Sequence, residues 1–497
     1  MSTPKDHNNG PVHKASDETT PLLATVESAP NAERVDPTVQ KPSTDGAHAD
    51  DENAPLPKTQ IFLLCYTRIV EPIAFFSIFP YINSMIEHVG GIEKEDVGFY
   101  SGLIESLFSF TQMCVMIFWG KASDRYGRKP VLVTSLLGIT IATTLFGMSQ
   151  SIAQMIAARC FAGVFAGTLI TVRAMFSENS TKHTQARAFS YFAFAGNLGI
   201  FLGPLLGGAL ERPAEKYPRV FGHQFFRHYP YILPGLVTSA IALSAAILTT
   251  LFVKETLHNH NDKKKNTEGQ MTIWQLLKAP GVARVILIYE YVGLLAFTFT
   301  AVNPVFLYTP ISLGGIGFSP ELIAVTIGFS GASQAIWLLF AFPALHKRIG
   351  TGDILRLAAW VWPIFFAINP CFNLLLRHGQ KAAFWTIAPP TLALGSGVAM
   401  AFTAIQLAIN DIAPSHETFG TLNAIVLALS CGLRAVAPAV ATSVYATGVK
   451  YHILGGELFW LLNVILAFGL IGLLRSLPEK AEGRPKKRDA VQVDARI

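Results

Sequence analysis

Glu71, Glu105, Arg159, Glu290 and Arg434 are among the ionisable side chains that stand inside long apolar stretches of this sequence. Burying such groups in hydrocarbon is costly, so those found there are candidates for moving protons or gripping a solute. Low dielectric favours the protonated form of a carboxyl group, and a nearby cation favours the ionised form. With the first apolar run starting near Gln60, Glu71 lies roughly 16 Å in, close to mid-membrane. Arg159, counted from the opposite face of the fourth run, lies within about one helical turn of that depth. Glu71 is therefore the leading proton-carrying candidate, tuned by Arg159, and Glu105 is the second. The competing reading of Glu71 is a structural i, i+3 ion pair with Arg68. Further along, Glu290, Asn303, Gln334, Asn369, Asn373, Gln406 and Arg434 are the polar residues of the apolar runs. Together with Tyr289, Tyr291, Phe297, Trp337 and Trp360 they are candidates for lining a cavity suited to an aromatic or cationic organic solute.

The elements that must position these residues follow from composition. Of 497 residues, 51% are hydrophobic and only 14% charged, and the mean hydropathy is +0.39. An average soluble protein carries roughly 25% charged residues, so an ordinary water-soluble chain is excluded. Twelve apolar runs are long enough to cross a core of about 30 Å. Six lie at about 60–86, 97–119, 131–149, 152–176, 187–210 and 230–253, and six at about 281–307, 320–345, 354–376, 383–409, 421–446 and 455–475. The expectation is an all-α integral membrane protein: a disordered tail at 1–57, a six-helix half at 58–253, a polar linker at 254–278, a second half at 279–477 and a tail at 478–497. The first segment has no apolar h-region or cleavage site, so the first run serves as an uncleaved span. Basic residues concentrate at the ends of alternate runs and in Lys263, Lys264 and Lys265, which puts both termini in the cytosol. The segment 211–229, with Arg212, Lys216, Arg219 and Arg227, counts against that orientation.

The most specific pattern follows the second run, from Gly120 through Asp124, Arg125, Gly127, Arg128 and Lys129 to Pro130. It reads as a turn between helices, with glycines for positive φ and Pro130 for the first turn of the next helix. G-x-x-x-D-R-x-G-R-K resembles the loop signature of the major facilitator superfamily, and the twelve runs extend the resemblance over about 58–477. That resemblance implies two pseudo-symmetric six-helix halves that rock about a central site. It also implies that Asp124 faces the start of the eleventh span near Gly420 and Thr421, and that Arg128 meets Glu178. A decayed second copy, Pro343 to Gly350, keeps R-x-G in Arg348-Ile-Gly350, with Lys347 in place of the aspartate.

Within that family, further motifs resemble the twelve-span drug:proton antiporters. Gly199, Gly203, Pro204, Gly207 and Gly208 match the g-x-x-x-G-P-x-x-G-G pattern of exporters, whose plainer reading is close helix packing. Arg159-x-x-x-Gly163 resembles an antiporter signature of the fourth span, and Lys254-Glu255-Thr256-Leu257 resembles the exit from the sixth. The R-I-V-E-P-I first span and the F-R-H-Y-P-Y-I-L-P entry to the sixth resemble fungal members. The resemblance implies export of a drug, toxin or secondary metabolite in exchange for protons, the alternative being a proton symporter or facilitator for a nutrient or metal chelate.

Other signals set boundaries. Val115 and Ala122 break any Walker A match around Gly120-Lys121, so transport would run on the proton gradient with no cofactor. No metal-ligand or nucleophile pattern marks an enzyme, and the five cysteines suggest no disulfide framework. Asn179-Ser-Thr falls on the expected cytosolic face, where it stays unglycosylated. Glu18, Leu22 and Leu23 fit an acidic dileucine signal, leaving vacuolar or lysosomal sorting and the plasma membrane both open. Expected partners are the bilayer, a small organic solute, protons and a sorting adaptor at the N-terminal tail. No nucleic acid is expected, and the chain is expected to act as a monomer.

Overall fold

A computed structural model describes residues 56–180, 184–257, 273–414 and 418–483, and among these every regular element is a helix. The dileucine signal and the three linker lysines lie outside the described residues. Ten helices are long and apolar enough to cross a bilayer. One of them, Pro320–Arg377, has 58 residues, about 87 Å at 1.5 Å per residue and too long for a single crossing. It breaks at Gly350 (φ 79°, ψ 177°), where the eighth crossing gives way to the ninth. With the shorter Leu458–Leu474, the described residues make twelve crossings, as the apolar runs predict.

The first span is Lys58–Phe76, extended past a turn by Ile82–Gly90. Val97–Tyr126 and Arg128–Gly147 are the second and third. The fourth comes in two pieces, Ile152–Val164 and Thr168–Glu178. Gln185–Leu210 and Ile232–Phe252 complete the first six. Val282–Tyr308 opens the rest, and Thr418–Lys450 is the eleventh. Buried apolar residues gather into one large cluster within 276–481 and four smaller ones within 61–253.

One expectation needs correction. The segment 120–130 is not an open turn, because the second span stays helical through Tyr126 and the third starts at Arg128. Gly120 sits inside a helix, where one glycine costs only about 1 kcal/mol. Gly127 alone makes the joint, at φ 108°, and a Cβ there would lie 2.6 Å from a carboxylate oxygen of Glu255. Glu255 folds back after the sixth span and accepts the main-chain N–H groups of Arg128 (2.9 Å) and Lys129 (3.0 Å). It thereby satisfies two donors at a helix start that lacks a side-chain cap of its own. Burial alone would push this carboxyl up, but the amides of Leu257, Arg128, Lys129 and Thr256 together hold it below its ordinary value.

The decayed repeat has the same construction. Gly350 is again the single joint, and the segment after the twelfth span folds back on the ninth. The Glu482 carbonyl accepts from Gly352 N–H (2.9 Å), and its carboxylate accepts from Arg356 (2.6 Å).

We call the face where the first span begins the tail side and the opposite face the far side. Ion pairs between the first six spans and the last six lie on the far side: Lys450 with Asp96 (2.8 Å) and Lys216 with Glu321 (2.6 Å). Tyr308 donates to Glu87 there as well. Toward mid-depth, Cys431 meets Met116 (3.7 Å). A Cβ on Gly331 would lie 3.6 Å from Phe201. Nearer the tail side, Arg173 of the fourth span and Tyr289 of the seventh act on each other electrostatically.

The far side also holds a strained turn, with His452 and Leu454 at positive φ. Arg377 spans it, donating to the carbonyls of Ile311 (3.2 Å) and Gly455 (3.0 Å). Burial pushes the neighbouring Glu457 carboxyl from 4.5 up to about 7, against the pull of Arg377. Between those values the folded chain keeps a proton that the unfolded chain releases, so this group's stabilising contribution is lost as pH rises toward 7. The thermal midpoint of Glu457→Gln should therefore fall less than that of the wild type between pH 5 and 8. Equal slopes would refute the assignment.

Candidate functional site

The site is built around the break in the fourth span. Residues 165–167 are not helical there, which frees carbonyl groups that a continuous helix would occupy. Small residues let the second span reach them. A Cβ on Gly163 would lie 2.5 Å from the Phe108 carbonyl oxygen, and one on Gly167 would lie 2.7 Å from the Trp119 ring. Trp119 Nε1 donates to the Val164 carbonyl (2.6 Å) and Gln112 Nε2 to the Ala166 carbonyl (3.2 Å). Gln112 Nε2 also donates to Glu71 (3.1 Å), and Thr168, first residue of the second piece, donates its hydroxyl to Glu71 (2.5 Å). Glu71 is thus held by two neutral donors from the second and fourth spans. Arg68 has no contact with it within 4.0 Å among the described residues, and the pair weighed from sequence acts through space only.

Arg159 is not brought to Glu71. It is 4% exposed, and its guanidinium lies over three rings: Phe108 (4.4 Å), Phe75 (5.4 Å) and Phe146 (5.8 Å). Its Nε and Nη2 have no hydrogen-bond partner. The carboxylate acting on it is Glu105, itself 6% exposed. Equal depth did not make the expected pair because Arg159 lies against the rings of Phe75, Phe108 and Phe146, from the first, second and third spans, while Glu71 is held by Gln112 and Thr168. A void with room for about one water, lined in part by Ser77, Thr143 and Thr238, lies against it.

The basic signature forms a cluster on the tail side. Arg128 is 6% exposed and donates to Glu178 through Nε (3.1 Å) and Nη2 (2.9 Å), as the resemblance implies. Thr256 donates to the other Glu178 oxygen (2.6 Å). Asp124 pairs with Arg128 (2.7 Å) and remains largely exposed. The implied partners of Asp124 at the start of the eleventh span, Gly420 and Thr421, lie outside the residues whose side chains are described. Arg125 lies over Tyr126 (5.5 Å), and Lys129 meets Glu255 through its main chain.

The fifth-span glycines face the first span. A Cβ would lie 2.7 Å from the Ile69 carbonyl at Gly199 and 1.7 Å from the Ser77 carbonyl at Gly207. At Gly203 the nearest atoms, around Phe76 and Ser77, are 3.1 Å away, while at Gly208 Ala324 of the eighth span is 2.2 Å away. Pro204 lies inside this helix.

In the later spans, Glu290 accepts from Ser430 (2.9 Å), and its other oxygen is buried without a partner. Gln406 donates to Asn423 (2.8 Å), Gln334 donates to Ser330 (3.4 Å), and Asn303 is half-buried. Arg434 lies over Phe297 at 4.9 Å. Several cavity candidates do other work. Asn373 ties the far-side turn through Ile311 and Gly315, and Asn369 bonds within its own helix. Tyr291 donates to Leu466 of the twelfth span, and Trp360 is 59% exposed. Gln112, Thr168 and Arg68 were missed as site residues. A polar residue opposite a glycine-rich stretch was the available signal for the first two.

Known proteins resemble this chain in sequence and in fold. Residues 64–438 match the family described as Major Facilitator Superfamily. The efflux pump azaK of Aspergillus niger is 46% identical over 473 residues, covering 95% of this chain and 97% of that protein. The multidrug transporter mfsB of Aspergillus fumigatus is 26% identical, covering 85% of this chain and 84% of that protein. Among solved structures, a bacterial homolog of the human lysosomal transporter Spinster, inward-facing and unoccupied, superposes with a TM-score of 0.62. It is 14% identical and covers 87% of this chain and 100% of that one, a likeness of fold.

Proposed function

The chain belongs to the Major Facilitator Superfamily, and from that premise we propose that it exports small organic solutes in exchange for protons by alternating access. The observation that carries the coupling is the state of two carboxyls at membrane depth. Among the described residues, neither Glu71 nor Glu105 has a cationic nitrogen within 4.0 Å. Glu71 is held by neutral donors and Glu105 is 6% exposed, so either can change protonation without breaking an ion pair. The fold supports the cycle, because the ion pairs Lys450–Asp96 and Lys216–Glu321 clasp the two sets of spans on the far side, and opening would take place on the tail side. With both termini cytosolic, that opening faces the cytosol and the driving force is the proton gradient, with no cofactor. The unit is a monomer, sorted to the vacuole or lysosome if adaptors read Glu18, Leu22 and Leu23, and otherwise delivered to the plasma membrane.

Proteoliposomes with an imposed pH gradient, run against a compound panel, test this reading. Wild type should concentrate a solute, whereas Glu71→Gln should lose uphill transport and keep counterflow. Glu105→Gln, run in parallel, shows which carboxyl carries the proton. Unchanged pH-driven transport in both variants would sink the coupling, and no flux of any compound would sink the export reading.

A further inference from the structure

The Glu71 carboxylate is fastened to the place where the fourth span is interrupted. There the main-chain N–H groups of Phe165 and Ala166 reach back three residues, to Ala162 (3.2 Å) and Gly163 (3.2 Å), where a continuous helix reaches back four. Two carbonyls of this stretch, Val164 and Ala166, accept from Trp119 and Gln112 of the second span. Gln112 uses the same nitrogen for Glu71 (3.1 Å), so one amide joins the carboxylate to the interruption. Thr168, which opens the second piece, donates to the other Glu71 oxygen (2.5 Å). Elsewhere in the spans Thr67, Thr111, Thr140 and Thr298 donate to the carbonyl four residues back, the usual local bond of a helical hydroxyl. At the other end of the second piece stands Glu178, held by Arg128 and Thr256. The 11 residues of Thr168–Glu178, roughly 16 Å of helix, thus run from the candidate proton site to the tail-side cluster.

We propose that Thr168 and Gln112 are positioning residues that convert protonation of Glu71 into movement of the second piece of the fourth span about residues 165–167. The inference rests on the reading of Glu71 as a proton carrier. An ionised carboxylate only accepts, and hydrogen bonds to it are about twice as strong as neutral ones. A proton on the oxygen that faces Thr168 makes that oxygen a donor, and the threonine hydroxyl turns back to a carbonyl of its own helix. The second piece is then released at its Glu71 end and carries Glu178 with it. Coupling between separated sites travels through a rigid element of this kind when it has two arrangements. Arg68 of the first span and Cys431 of the eleventh act on Glu71 through space; they shift the pH of the change, whereas the two neutral donors are what the change moves.

The test uses the full chain in proteoliposomes, with spin labels carried on unnatural side chains at Ala153 and Ser177, both exposed and one on each piece of the fourth span. Wild type should show two distance populations, tethered and released, whose ratio changes between about pH 8 and pH 5. Glu71→Gln should show the released population at both. Thr168→Val and Gln112→Leu should each lower the tethered population at the higher pH about tenfold or more, as expected for loss of a hydrogen bond to a charged group. Their uphill, pH-driven transport should fall with it while counterflow continues. Thr168→Ser, which keeps the hydroxyl, should fold and restore both readouts. A wild-type pH response in Thr168→Val, or distances that ignore pH in the wild type, would overturn the proposal and leave Glu71 standing as the proton carrier. A pH response that survives in Glu71→Gln together with uphill transport would remove the proton reading, and this inference with it.

Discussion

Replacing Gly102 by alanine is expected to force the far side open and stop transport. A Cβ at this position would lie 1.7 Å from Thr442 Oγ1 and 2.9 Å from the Pro438 carbonyl oxygen. The hydroxyl can rotate, but the carbonyl is main chain, so the second and eleventh spans must separate. Just beyond, a Cβ on Gly98 would meet Ala446 at 3.1 Å, and the Asp96–Lys450 ion pair is next in line. Overpacking costs typically about 1–3 kcal/mol, and roughly 1.4 kcal/mol is a tenfold change in an equilibrium. A state closed on the far side should therefore lose about tenfold to a hundredfold in population. Spin labels at Lys94 and Tyr451, both exposed on that face, should report longer separations in Gly102→Ala. Thr442→Ala in the same chain removes one of the two clashes and should restore part of the short-distance population. Distances like the wild type's in Gly102→Ala would show that these spans do not seal the far side.

The second large effect is expected at Arg128. Its guanidinium holds Glu178, Asp124 and the Ser123 hydroxyl (3.0 Å), linking the start of the third span to the end of the fourth. Removing one partner of a buried ion pair costs about 3–5 kcal/mol, and the partial exposure of Glu178 (23%) points to the lower end. Arg128→Ala should lower the thermal midpoint markedly and reduce the amount of folded protein. Glu178→Gln, which keeps the Thr256 contact possible, should cost less. A double-mutant cycle should give a coupling above about 1 kcal/mol, since residues in one network are not additive. Additive losses would mean that the two side chains stabilise the protein separately.

Much of this architecture could be read from the sequence because hydropathy and punctuation are one-dimensional signals. The twelve crossings, the Arg128–Glu178 pair and the R-x-G repeat at Gly127 and Gly350 are of that kind. What stayed hidden depends on which way a helix face turns. Glu71 and Arg159 share a depth, but the break at 165–167 and the Phe75 and Phe108 rings put them in separate surroundings. Gln112 and Thr168 drew no notice because a neutral polar residue in an apolar run is common. Tyr291 reads as a cavity residue for the same reason in reverse, since composition does not say whether an aromatic faces lipid, a neighbouring helix or solute. Gly120 looked like a turn residue because the single joint at Gly127 draws its cap from Glu255, more than a hundred positions away.

That cap bears on how the chain is connected. The first six spans are closed by Glu255 from their own exit, and the last six by Glu482 from theirs. Neither half borrows its closing residue across the 258–272 stretch, so the covalent link between them is not what completes either one. Two polypeptides, divided after Leu257, each carry every contact of this kind that their own helices need. The same economy describes a gene that doubled: the trailing end of an ancestral six-span unit would have kept its place against the third span and become the opening of the linker.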